Sequence, residues 1–188
     1  WRSGDLYGQV AVVLSNHQKL EPLAESAGVP FHWVPAEDKA AHEAFLLQKL
    51  QEYRAELVVL ARYMQVLSPA VVGPYAGRII NIHPSLLPYF PGANPYQQAW
   101  EDGVRVTGCT AHFVTEDLDA GPIILQDVFH IDVGIDTVDD VKAKGRALEG
   151  SVLSRAAQLY LNNEVVVLDG KVVFKAGMRT LLRDFSRD

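Results

Sequence analysis

The chain has 188 residues, 48% hydrophobic and 21% charged, with 17 Lys plus Arg against 23 Asp plus Glu for a net charge of −6. That length carries a single domain with a proper core, the composition excludes disorder, and the charge argues against nucleic-acid binding, which needs clustered cations. One cysteine, Cys109, excludes a disulfide framework, and no apolar run approaches the roughly 20 residues of a membrane helix, so a cytoplasmic globular protein is expected.

The opening Trp1-Arg2-Ser3-Gly4 reads like a helix end with its glycine stop, so preceding sequence is expected to be missing. The apolar run at 9–16 predicts a strand, 17–28 a helix closed by Gly28, and 30–35 a short strand between prolines. Residues 36–56 predict a helix burying Leu46, Leu50 and Tyr53, and 57–63 a continuously apolar strand of the parallel-sheet type. A short helix at 68–77, with Pro69 in its first turn, leads to a strand at 78–84. This βα alternation predicts an α/β fold: a mostly parallel, Rossmann-like sheet flanked by helices with right-handed crossovers. The second half departs from that rhythm. A brief helix at 95–103 precedes a long strand at 104–117 and an antiparallel neighbour at 121–131. A helix at 137–163 then carries a stripe of Val141, Leu148, Val152, Ala156 and Leu159, and a hairpin at 164–174 turns on Asp169-Gly170. No repeat or linker is visible, so 1–188 is expected to form one domain.

The strand at 78–84 ends in Asn81-Ile82-His83-Pro84. Ligands of α/β sheets bind at the carboxyl ends of strands, and residues two apart on a strand share a face. Asn supplies a neutral donor for a developing oxyanion, and His suits proton transfer near neutrality. The alternative is capping of backbone groups at a strand exit. A second cluster spans 112–122: Thr110, His112 and Val114 share a face, while Asp117 and Asp119 lie in a loop turned by Gly121-Pro122. A carboxylate beside His83 would stabilise its imidazolium and hold a nucleophilic water; simple turn capping is the competing explanation. Two His and two Asp also offer metal ligands, but their spacing matches no ligand motif such as His-Glu-x-x-His, and no metal is expected. His17, His32, His42 and His130 read as surface or structural histidines without polar company, and Cys109 as a packed residue facing away from His112. No nucleotide-binding glycine motif occurs.

Together, "NIHPSLLPYFPG" (81–92) and "GCTAHFVTEDLDAGPIILQ" (108–126) resemble the catalytic core of the folate-dependent formyltransferase family, a likeness that runs from about residue 9 to residue 174. The resemblance implies a Rossmann-like formyltransferase fold acting on 10-formyltetrahydrofolate as substrate, with no tightly bound cofactor. It carries the family's Asn, His and Asp trio onto Asn81, His83 and Asp119, and a further histidine onto His112. It also implies a folate site lined by Arg62, Tyr63, Met64, Gln65, Val66, Leu67, His112, Thr115, Asp117 and Gly92. "WRSGDL", "VPFHWVP", "LARYMQVLSP" and "GANPYQQAW" look like the hydrolytic branch, which releases tetrahydrofolate and formate, supplies formate for purine synthesis and balances one-carbon pools. Pro84 and Leu86 look like the branch that formylates phosphoribosylglycinamide, and Pro91 departs from the hydrolytic pattern. The branch acting on tRNA carries an added domain for which this chain lacks the length and charge. Hydrolysis is therefore expected, with formyl transfer to an amine and non-catalytic folate binding as alternatives. The resemblance also implies self-association and an upstream regulatory domain of ACT type.

Overall fold

The computed structural model describes residues 6–175; the expected helix end at Trp1 to Gly4 lies outside them. Its strands are β1 (Val13–Ser15), β2 (Phe31–Trp33), β3 (Val58–Leu60), β4 (Ile79–His83), β5 (Val106–Phe113), β6 (Ile123–His130), β7 (Val165–Leu168) and β8 (Lys171–Phe174). The helices are α1 (Glu21–Ser26), α2 (Lys39–Glu52), α3 (Pro69–Val72), α4 (Pro95–Glu101) and α5 (Val138–Leu161), with 3-10 turns before α1 and after α3.

The expected α/β architecture is present, but its strands form three ladders. β1 and β2 pair in parallel; a four-stranded sheet runs β3-β4-β5-β6; β7 and β8 form a separate hairpin. In the central sheet β3 and β4 are parallel, whereas β5 and β6 each run antiparallel to the strand before them. The single ladder expected for the first half is interrupted between β1 and β3. Leu14 of β1 instead packs into an apolar cluster with Leu50, Val72, Tyr75 and Ile79.

Several expected elements are shorter than their apolar runs. β3 stops at Leu60 because Arg62 takes a left-handed backbone conformation, φ 55°. β5 stops at Phe113, after a register shift at Ala111/His112, and the Val114 N–H then bonds across to the Ile79 carbonyl. In the expected helix at 17–28, Gln18–Leu20 is a 3-10 turn, and Pro22 lies in the first turn of α1.

The main core lies between the β4-β5-β6 face and α5: Ile80, Ile82, Cys109, Ala111, Phe113 and Ile124 meet Val152, Leu153, Ala156 and Leu159. Of the predicted α5 stripe, Val141, Val152, Ala156 and Leu159 are buried and Leu148 packs at the edge. A capping box starts that helix: the Thr137 hydroxyl accepts from the Asp140 N–H, and the Asp140 carboxylate accepts from the Thr137 N–H. The β7–β8 hairpin turns on Asp169 and Gly170, both at positive φ, as its two-residue loop requires.

Candidate active site

β4 ends beneath a cleft of about 480 Å³. Its strand register puts Asn81 opposite His112 and His83 opposite Thr110 on β5. The alternation of β4 and β5 thus brings Asn81, His83 and His112 to one side of the sheet, while Cys109, Ala111 and Phe113 join the core on the other.

Asp119 reaches this group from the loop joining β5 to β6. That loop turns so tightly that a Cβ on Gly121 would sit 1.8 Å from the Phe113 carbonyl oxygen, so only glycine fits. Asp119 itself has φ 53°, a conformation that Asp tolerates better than most residues. Its carboxylate lies 3.3 Å from His83 Nδ1 and 3.8 Å from His112 Nε2, and all three side chains are buried.

Hydrogen bonding orients both rings. His83 Nε2 donates to the Phe90 carbonyl at 3.1 Å, which leaves Nδ1 to face Asp119. Phe90 is another residue at positive φ, 52°. Its loop is anchored by Thr110, whose hydroxyl donates to the Ser85 carbonyl and accepts from the Leu87 N–H and from Gln126. His112 Nδ1 donates to the Phe113 carbonyl at 2.9 Å. Its Nε2 is then the acceptor for the Asn81 amide at 3.4 Å. Burial pushes the His112 pKa below its ordinary value, partly opposed by the Phe113 carbonyl and by Asp119, so the neutral ring that this pairing needs is favoured. Held so, Asn81 keeps its second amide hydrogen free for the cleft.

Every residue of the expected trio and folate site lines this cleft. Arg62 to Leu67 form one wall, with Met64 86% and Val66 54% exposed. Thr115, Asp117 and Asp119 come from the facing loop, Gly92 from the rim, and Asn81, His83 and His112 from the floor. Among the described residues, no group of three or more His, Cys, Asp or Glu is arranged to hold a metal ion.

The sequence reading missed the contribution of α5. Lys142, Arg146 and Glu149 line the cleft, spaced four and three residues apart as one helical face requires. Burial raises the Glu149 pKa, opposed by Tyr96, Arg62 and Arg146. Beside it the Tyr96 hydroxyl is buried, and burial, then Glu149, push its pKa up. The i, i+4, i+7 spacing of 142, 146 and 149, next to the apolar stripe, was the available signal. Three histidines also need correcting: Asn16 Nδ2 lies 3.3 Å from His17 Nε2. His32 Nε2 pairs with the Tyr53 hydroxyl at 2.8 Å, and buried His42 bonds Val34 and Tyr63; the sequence had shown neither partner because both lie elsewhere in the chain.

The family described as formyl transferase matches residues 1–157. The chain is 45% identical over 175 residues to formyltetrahydrofolate deformylase of Bacillus subtilis, covering 92% of this chain and 58% of that protein. It is 46% identical over 175 residues to the Synechocystis protein of the same name, covering 92% of this chain and 61% of that one. It therefore spans about three fifths of these relatives' length. Among solved structures, a formyltetrahydrofolate deformylase from Pseudomonas syringae superposes with a TM-score of 0.89 at 43% identity, covering 93% of this chain and 59% of that one. Glycinamide ribonucleotide transformylase 1 from Symbiobacterium toebii gives 0.86 at 39%, covering 92% and 84%.

Proposed function

The chain belongs to the formyl transferase family, and on that premise we propose that it hydrolyses 10-formyltetrahydrofolate to tetrahydrofolate and formate, the activity named in its deformylase relatives. The observation that carries the reading is the placement of Asp119 between His83 and His112, with Asn81 beside His112, on the floor of the cleft.

The chemistry follows from the acceptors. Asp119 Oδ1 lies 3.8 Å from His112 Nε2, whose lone pair the Asn81 amide already occupies. One water at about 2.8 Å from Asp119 Oδ1 can donate a hydrogen to it, with a lone pair turned to the cleft. That lone pair attacks the formyl carbon, and Asp119 takes the proton. The carbonyl oxygen becomes an oxyanion, which meets the free Asn81 amide hydrogen. Collapse breaks the C–N10 bond as a proton passes to N10, and tetrahydrofolate leaves with formate. The pteridine lies against residues 62–67 and the 115–119 loop, where Met64, Val66 and Leu118 present apolar surface. Self-association, a cytoplasmic setting, a single catalytic domain over 1–188 and a supply of formate for purine synthesis belong to the same proposal.

The test is incubation with 10-formyltetrahydrofolate, with and without glycinamide ribonucleotide. Equimolar formate and tetrahydrofolate without the amine are expected. A substrate stable until the amine is added would establish the transferase reading instead, which the Symbiobacterium likeness supports. Asn81→Ala and Asp119→Asn should each lower kcat by about 10²–10³ with Tm little changed; near-normal turnover of Asp119→Asn would sink the mechanism.

A further inference from the structure

Two side chains of titratable type lie buried side by side on α2, away from the cleft: His42 is 2% exposed and Glu43 8%. A buried carboxylate is costly unless its oxygens are hydrogen-bonded. Glu43 directs both of them at one residue, Ser68: Oε1 accepts the backbone N–H at 2.8 Å and Oε2 the hydroxyl at 2.5 Å. His42 Nδ1 donates to the Val34 carbonyl at 3.2 Å, so its Nε2 accepts from the Tyr63 hydroxyl, also at 3.2 Å. The two rings stack with centroids 6.2 Å apart at 18°.

Tyr63 and Ser68 bracket the cleft wall that exposes Met64, Gln65 and Val66. Among the described residues, no backbone–backbone hydrogen bond outside the helices and strands involves residues 63–67. The wall is therefore held by side chains: His42 at one end, Glu43 at the other, and Leu67 packed into the apolar cluster of Leu50, Val72, Tyr75 and Ile79. We infer that His42 and Glu43 are positioning residues that clamp the 63–68 segment in its substrate-receiving shape, an inference that rests on this segment receiving the folate.

The clamp acts on binding rather than on the reacting atoms. If the receiving shape falls from nearly full to about a tenth of the population, apparent affinity falls about tenfold while bound substrate reacts as before. Glu43→Gln keeps the shape of the side chain but offers one acceptor oxygen to two donors. In the full chain it should raise KM for 10-formyltetrahydrofolate about tenfold with kcat within about twofold. Exchange of the Ser68 amide, the one that Glu43 holds, should speed up, while exchange across β4 and β5 stays unchanged. Tyr63→Phe and Ser68→Ala, which each delete one hydroxyl, should shift both readouts the same way by less, and they decide the matter if Glu43→Gln does not fold. Unchanged KM in all three variants, or faster exchange throughout the chain without a local excess, overturns the inference. If the wild type turns over no folate, the hydrolytic reading fails, and the exchange comparison alone decides whether the clamp exists.

Discussion

Gly145 sits on the buried side of α5, where helix propensity and packing predict opposite outcomes for Gly145→Ala. Propensity favours alanine over glycine in a helix interior by about 1 kcal/mol. Packing opposes it: the new Cβ would lie 2.2, 2.3 and 2.6 Å from Cε2, Cζ and Oη of Tyr96. Ordinary contact begins near 3.4 Å, so ring or helix must move by about an ångström. Neither is free to move. Tyr96 is 5% exposed, packed with Ala99, Ile131 and Val141, and set edge-on to Phe129 at 5.7 Å. Overpacking of this size costs about 3 kcal/mol, the upper end of the usual range. The net loss is then about 2 kcal/mol, a fall in Tm of about 4–8 °C for a chain of this size, measured by thermal unfolding. In a Tyr96→Ala background the obstacle is gone and the same substitution should stabilise by up to about 1 kcal/mol. A rise in Tm for Gly145→Ala in the wild-type background would refute the reasoning.

Acidification should destabilise the protein through His112. Its folded pKa lies below the ordinary 6.5 because the ring is buried, so its contribution is fully present above about pH 6.5 and is lost as pH falls through the lower folded value. The urea midpoint should fall between about pH 7.5 and 5.5, and less so in His112→Phe; equal slopes would exclude His112 as the source. Thr137→Ala removes the hydroxyl of the α5 capping box. It should cost about 1 kcal/mol in chemical denaturation and leave the KM for folate unaltered, since Thr137 lies outside the cleft. An unchanged denaturation midpoint would mean that the box contributes nothing.

Local signals carried most of the helices and the β7–β8 turn, whereas the trio as a unit came from the resemblance. The two-residue spacing of Asn81 and His83 and the glycine-proline turn after Asp119 are visible in the sequence itself. What was not legible depends on pairing between distant segments. The antiparallel register of β5 on β4 makes His112 the acceptor for Asn81, and no local pattern states which strand lies beside which. The same holds for His42 and Glu43, whose partners Tyr63 and Ser68 lie 21 and 25 residues away. Strand ends were misjudged because apolar runs continue past Leu60 and Phe113, while left-handed geometry at Arg62 and the bulge near His112 end the ladders. The cleft-facing side of α5 was legible in principle, but its apolar stripe dominated the reading.

Left-handed backbone at residues other than glycine concentrates around the cleft. Arg62, Asn94 and Asp119 line it, and Phe90 supplies the carbonyl that holds His83. Arg62 and Phe90 have no short polar side chain to ease that geometry, so glycine relieves strain there, offset in part by a freer unfolded chain. Evolution toward heat resistance without selection for turnover would therefore find its first gains beside the reacting groups. Variants chosen only for survival at high temperature would lose the shape of the pocket before they lost the fold.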